Sequence, residues 1–410
     1  MKISSLFYIN SENNFDQASP LIWFLLKKKY KVFLQISQNF NYEEDYRFKL
    51  FKNFDNFKVL KQSEHKESFF LYYFLKVLNF IIKKNFIYIK KNFYLFSFLK
   101  TLFSKVSNLR KIGINFIFYS WGDFSHHIIP AKFLDIHSIA LPHGFNIYLN
   151  ENTNYLLSNT LKNKNKTFEI FSDHNLYDYY IVENQITKAR ALNLGINEKI
   201  IKVWGSARYS KKWIKYNYSI LKKNLAQLNK KKVLFLLPHW SFKVDIDKTF
   251  KLVKEVLNKF PNQVTAKPHV RGKFNKYDLK ANKLLTKFKN KYNLKIANKV
   301  KTPELILKHE IIIGFGTSVL IDALYLNKKL IIADHLQKNK TIYTLCKLSN
   351  VTKSSMQCID KIITNDFTSK KSKEFQDLAD KFILQLNKKK DILDNYINEL
   401  QKIKTLDKKF

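Results

Sequence analysis

Glycine is scarce here: 8 residues in a chain of 410, where average usage of about 7% would supply roughly 29. Cysteine is scarcer still, with two residues, Cys346 and Cys358, too few for a disulfide framework and without the spacing of a metal site. Two isolated thiols fit a reducing compartment. Acidic residues number 33 against 73 basic ones, and only five of the basic residues are arginine. No window reaches 18 uncharged apolar residues, so no transmembrane helix is expected. There is no Walker loop, no His-Glu-x-x-His and no Gly-x-Gly-x-x-Gly.

What remains is a globular composition, 45% apolar and 15% aromatic, which excludes a disordered chain despite 26% charged residues. The formal charge of +40 favours anionic partners such as nucleotide phosphates, acidic glycans, an anionic bilayer or nucleic acid. Lysine, asparagine, isoleucine, phenylalanine and tyrosine are inflated together, as expected of an A/T-rich coding sequence, so the charge alone does not choose among them. The opening Met1 to Asn10 is apolar but runs into polar Ser11-Glu12-Asn13-Asn14 without a small-residue cleavage site, and reads as a first strand. The expectation is a cytoplasmic protein.

Strands are predicted at Ile3–Ile9, Val32–Ile36, Phe116–Tyr119, Ser138–Leu141, Tyr179–Val182 and Ile200–Val203. A second series follows at Val233–Leu237, Val264–Ala266, Leu294–Ile296, Ile311–Ile313 and Leu330–Ile332. Several are apolar throughout, which suits parallel sheets buried on both faces. With helical segments between them, the reading is α/β: two Rossmann-like lobes with parallel sheets, 1–215 and 216–410, the second closing on a charged C-terminal helix. Thr302-Pro303-Glu304 predicts a helix start with Thr302 as cap, and Gly314-Phe315-Gly316 is expected to turn into a helix beginning near Thr317. Between Ser68 and Gly122 there is no acidic residue, and nine Lys or Arg are interleaved with many aromatics. That basic aromatic segment, near 68–112, has two readings: helices lying on the inner membrane surface, or buried helices of the first lobe.

In a chain so poor in glycine, the survivors are expected at backbone positions closed to other residues, and most follow a predicted strand. Ligand sites of open α/β sheets lie at those C-terminal strand ends. His143-Gly144 follows one strand, and a histidine there is placed to take a proton from an attacking hydroxyl. Lys267-Pro268-His269-Val270-Arg271-Gly272 follows another, a dense donor cluster suited to a diphosphate. Gly316-Thr317-Ser318 is expected to offer backbone N–H groups to an anion, with Asp322 one turn on. Gly205-Ser206-Ala207-Arg208 and Pro238-His239-Trp240 end two further strands, with Arg208 reaching the cleft or pairing with an acid. Asp245-Ile246-Asp247 reads as a helix cap rather than a metal pair, and His126-His127 point apart on a helix, so no metal site is expected.

Taken in order, these motifs resemble the CDP-glycerol glycerophosphotransferases of teichoic-acid synthesis and related bacterial surface-polysaccharide transferases of the GT-B fold. The resemblance rests on His143-Gly144, on Gly205 to Arg208, and on Pro238-His239-Trp240. It continues through Lys267 with His269 to Thr317-Ser318-Val319-Leu320-Ile321-Asp322, spanning about Ser138 to Ile332. It implies a nucleotide-linked donor in the second lobe and a glycan or lipid-linked acceptor in the first. His143 and His269 would be the catalytic histidines, with His143 the base. Lys267, His269, Arg271, Gly316, Thr317 and Ser318 would neutralise the leaving nucleotide phosphate in place of a metal, and Gly144, Arg208, His239 and Asp322 would line the cleft. No cofactor is implied beyond the activated donor. The chain departs from the family at Gly314-Phe315-Gly316, where an Asp-Tyr is usual, and at Pro268, which precedes the histidine rather than following it. CDP-glycerol and a nucleotide sugar both stay open as donor. A UDP-sugar 2-epimerase is the alternative on the same fold. A nucleic-acid binder is the non-enzymatic alternative, opposed by basic residues spread along the chain.

Overall fold

A computed structural model describes residues 3–36, 41–60, 112–121, 131–132, 136–150, 172–224, 231–269, 276–367, 373–384 and 391–406. Two wholly parallel sheets organise them. The first has seven strands: β1 (Ser4–Ile9), β2 (Lys31–Ile36), β3 (Phe57–Val59), β4 (Phe116–Ser120), β5 (His137–Leu141), β6 (Tyr179–Val182) and β7 (Ile201–Val203), in the order β3-β2-β1-β4-β5-β6-β7. The second has five: β8 (Lys231–Leu236), β9 (Val264–Lys267), β10 (Lys295–Ile296), β11 (His309–Gly314) and β12 (Lys329–Ile332), in the order β10-β9-β8-β11-β12. Both are doubly wound, and each reverses direction once, between β1 and β4 and between β8 and β11. A crevice opens at such a reversal, outside the carboxyl ends of the strands.

The strands are parallel because their runs are apolar on both faces. Ile311, Ile312 and Ile313 are all fully buried, as are Val233, Leu234 and Phe235 beside them. Register between β1 and β4 aligns Phe7 with Phe118, whose rings stack at 4.5 Å. The next pair, Tyr8 and Tyr119, stacks at 5.1 Å. Every strand expected from the sequence is present within two residues at either end. Strand β3 is the addition: a short edge strand with a half-buried and exposed pattern, which no apolar run announces.

Two helix starts differ from expectation. Thr302 is the first residue of the helix Thr302–Lys308 rather than its cap, which is Lys301. The helix after Gly316 begins at Leu320 and ends at Tyr325, so Thr317 and Ser318 lie in the turn before it. The basic aromatic segment lies outside the described residues as far as residue 111. Among the described residues, no helix is long and apolar enough to cross a membrane.

The C-terminal tail crosses from the second lobe to the first. Phe375 packs edge-on against Tyr325 of the second lobe, whereas Tyr396, on the helix Ile392–Leu406, donates to the Gly205 carbonyl at 3.0 Å. Gly205 has φ +86, and a Cβ there would meet the Ile383 carbonyl of the tail at 2.9 Å. The position is closed to other residues on both counts. Gly144, by contrast, has ordinary φ and open space around it, so its scarcity value is not backbone need.

Beneath this crossing, Glu183, the residue after β6, is wholly buried, its oxygens without a well-formed hydrogen bond. Burial pushes its carboxyl up to about 7. A raised carboxyl stabilises the fold below the ordinary value near 4.5, and this is lost as pH rises toward about 7. Glu183→Gln is therefore expected to match the wild type near pH 5 and to be the more stable protein at pH 8. Thermal unfolding at the two pH values checks this, and parallel curves would refute it.

Candidate active site

The expected site residues that can be placed stand at the carboxyl ends of the strands, as the topology demands. His143 lies two residues past β5, and its Nδ1 is 3.0 Å from the Ser120 hydroxyl at the end of β4. Its carbonyl accepts from Asn13 at the start of α1 (Glu12–Lys27). The imidazole is thus held by β4 and its backbone by α1, on either side of the reversal of the first sheet. Ser120 was not anticipated.

In the second lobe, Gly316 is packed so closely that a Cβ would strike the Gln337 amide oxygen and come within 2.9 Å of the Tyr148 hydroxyl. Its carbonyl accepts from Tyr148 Oη at 2.6 Å. The next two carbonyls are held in the same way, that of Thr317 by Tyr343 at 2.8 Å and that of Ser318 by Tyr209 at 2.7 Å. In a trans peptide the C=O and the following N–H point in opposite directions. The N–H groups of Thr317, Ser318 and Val319 therefore point away from the three tyrosines. Among the described residues they donate no hydrogen bond. These residues are half-buried, within reach of a ligand. Backbone donors left in this way suit an anion. They arise from the turn and its tyrosines, because the helix beyond is only six residues long.

The donor cluster of the second lobe is distributed unevenly. Lys267 ends β9 almost buried and donates to the Asn298 carbonyl at 2.8 Å; burial holds its ammonium below the ordinary lysine value, against the pull of Glu12. His269 is exposed, its ring edge-on to His239 at 5.2 Å. His239 Nδ1 is 2.6 Å from the Ser241 hydroxyl. The two imidazoles thus share one sheet edge. Arg271 and Gly272 lie outside the described residues. Asp245 caps the helix Ile246–Lys259 by accepting from the Lys248 N–H at 3.0 Å, and Asp247 pairs with Lys280 at 2.6 Å. Among the described residues, no three His, Cys, Asp or Glu side chains stand close enough to hold a metal ion.

Arg208 and Asp322 meet. The guanidinium grips both carboxylate oxygens at 2.8 and 3.1 Å, and its Nε donates to Asp16 on α1 at 2.6 Å. Asp16 also pairs with Arg47 of α2 (Tyr46–Phe51), which in turn holds Asp45 at 2.8 Å; Lys301 of the second lobe reaches Asp45 as well. Burial alone would raise Asp16, but Arg208 and Arg47 outweigh it and hold the carboxyl below its usual range. This chain of alternating charges runs from one lobe to the other beneath the cleft.

A second set of contacts joins the lobes beside His143. The Leu149 N–H donates to the Lys340 carbonyl and the Ile342 N–H to that of Ile147, both at 2.9 Å. Tyr148 stacks on Phe242 of the second lobe at 5.1 Å, nearly parallel. Asn150 donates to the Asn339 side chain at 2.9 Å, and Arg190 holds the carbonyls of Tyr148 and Asn150 from below.

Solved structures share this architecture. A glycosyltransferase from Rickettsia africae is 12% identical, over 98% of this chain and 99% of that one, with a TM-score of 0.51. S. aureus MnaA, solved with UDP, is 11% identical over 98% of each chain, at 0.54. The UDP-GlcNAc 2-epimerase of Methanocaldococcus jannaschii, solved with UDP-GlcNAc and UDP, is 14% identical over 90% of this chain and 94% of that one, at 0.50. The chain has the GT-B fold. No family model matches it, and no curated protein does. His143 follows β5 of the first sheet, and the Gly316–Val319 turn follows β11 of the second.

Proposed function

We propose that the protein is a transferase that moves a sugar or glycerol-phosphate unit from a nucleotide-activated donor to a hydroxyl of a surface-polysaccharide or lipid-linked acceptor. The observation that carries this reading is His143, braced by Ser120 past the carboxyl end of β5, together with a turn past β11 whose three backbone N–H groups donate no hydrogen bond among the described residues. The acceptor hydroxyl gives its proton to His143 as its oxygen attacks the donor. The bond to the nucleotide phosphate breaks, and the N–H groups of Thr317, Ser318 and Val319 take the charge that develops on the leaving oxygen. His269 and His239 stand at the same sheet edge to assist. Proteins of like fold were solved with UDP, which supports a nucleotide-linked donor.

The second reading, a UDP-sugar 2-epimerase, draws on the same fold. Proton abstraction from a sugar carbon calls for carboxylates in the cleft. Here Asp16, Asp45 and Asp322 are each bound to a guanidinium. A thermal-shift screen against CDP-, UDP-, GDP- and CMP-linked donors tests the reading, since a ligand at 100 times its Kd adds about 2.7 kcal/mol. One donor class is expected to raise the midpoint, and a shift by none would remove the proposal. Conversion of UDP-GlcNAc to its 2-epimer without acceptor would establish the second reading instead.

A further inference from the structure

The residues assigned to the reaction in the second lobe stand at the carboxyl ends of its sheet; the amino ends of the same sheet gather charge. Three neighbouring strands, β8, β11 and β12, begin there. Lys232 of β8 donates to one carboxylate oxygen of Glu310 on β11 at 3.0 Å, and Lys329 of β12 takes the other. Lys329 and Lys232 together hold the Glu310 carboxyl below its usual range. The trio forms one wall of a cavity of about 400 Å³. The ends of two helices complete it: Lys259 and Phe260 where Ile246–Lys259 stops, and Ile362 and Ile363 in the last turn of Ser355–Thr364. Strand β11 is six residues long, so the cavity lies roughly 20 Å from the turn at the strand's other end.

Charge and composition both point to an amphipathic anion. Three ammoniums surround one carboxylate, a surplus of two. Each of the two helices brings its C-terminus, with about half a negative charge, so a surplus of about one persists. Lys259 is exposed and its ammonium makes no ion pair among the described residues. Lys232 and Lys329 each keep further N–H donors, because an ammonium has three. The remaining wall is apolar: Ile362 is buried, Phe260 half-buried, and Ile363 54% exposed at the mouth. The volume is that of a site for a small organic ligand rather than a bare ion.

We propose that this cavity is a second ligand site, which takes a phosphate ester with a compact apolar body. Lys232, Lys259 and Lys329 hold the phosphate from three sides, and Phe260, Ile362 and Ile363 cover the body. Glu310 stands between two of the lysines and fixes both ammoniums, so the site is ordered before the ligand arrives. The site is separate from the transfer chemistry and does not depend on it.

Calorimetric titration with phenyl phosphate, methyl phosphate and phenol separates the two halves of the site. Phenyl phosphate is expected to bind. Methyl phosphate, which lacks the body, should bind about tenfold more weakly. Phenol, which lacks the charge, should not bind measurably. Lys259→Ala removes the ammonium that no carboxylate holds and should weaken phenyl phosphate about tenfold. Ile363→Asp places a negative charge at the mouth and should weaken it further. Both residues are exposed, so the thermal midpoints of the unliganded variants should match the wild type. Equal affinity for phenyl phosphate in wild type and both variants would put the ligand elsewhere and overturn the proposal. So would wild-type protein that binds no phenyl phosphate at millimolar concentration, or that binds methyl phosphate equally well. A nucleotide-donor screen without a shift would leave the proposal standing.

Discussion

His143→Ala should lower the rate of transfer by about 10²–10⁴ while the nucleotide-induced thermal shift stays at its wild-type size. The two readouts separate because the histidine follows a strand of the first sheet and the N–H turn a strand of the second, joined through the backbone rather than through the imidazole. A general base acts on the acceptor proton in the transition state and contributes nothing to holding the donor phosphate. The loss therefore falls on kcat. Ser120→Ala leaves the imidazole in place but removes its brace at Nδ1, so a smaller loss in kcat is expected. Wild-type turnover by His143→Ala would transfer the role of base to another group. His269, exposed at the end of β9, would then be the first to test.

The fold was legible because parallel strands buried on both faces must be apolar at consecutive positions, and Ile311-Ile312-Ile313 or Val233 to Leu237 admit no other reading. The positions of His143, His239, Lys267 and Gly316 followed from the strand ends, a local property of the chain. What stayed hidden depends on residues far apart. Arg208 and Asp16 are separated by 192 positions, and Arg208 and Asp322 by 114. No spacing rule connects them. The motif Gly205 to Arg208 marked Arg208, with an acid as one of its two expected partners, but nothing in the sequence named which acid, and nothing marked Arg47. Tyr148, Tyr209 and Tyr343 were hidden by the opposite circumstance: among 22 tyrosines none stands out. A glycine followed by Thr-Ser is the usual sign of a helix start, which predicts one at Thr317. The tyrosine hydroxyls satisfy the carbonyls of that turn from outside, and the helix begins three residues later.

Arg208→Ala should cost about 3–5 kcal/mol, because it leaves a fully buried carboxylate without its counter-charge. Asp322 is wholly enclosed, and Arg208 contributes both hydrogen bonds of a bidentate pair together with the link to Asp16. The sign of the pH dependence follows from the two acids. Arg208 and Arg47 hold Asp16 below its usual value, so the stability it contributes is full above about 3.9 and is lost as pH falls through the depressed value. Removing Arg208 returns Asp16 toward the ordinary range, and the gap between variant and wild type should narrow in acid. Asp322 moves the other way: burial already raises it, and without the guanidinium it rises further. The variant should therefore lose stability as pH climbs from about 5 toward 8, where that carboxyl must ionise in a closed site. Arg208→Met combined with Asp322→Leu removes both charges and should recover most of the loss, since an apolar pair of similar bulk avoids the desolvation. Chemical unfolding of wild type, single and double variants at pH 4, 6 and 8 measures all three effects. A loss below about 1 kcal/mol for Arg208→Ala, the range of exposed pairs, would mean that water reaches Asp322 and that the charge chain between the lobes is open rather than sealed.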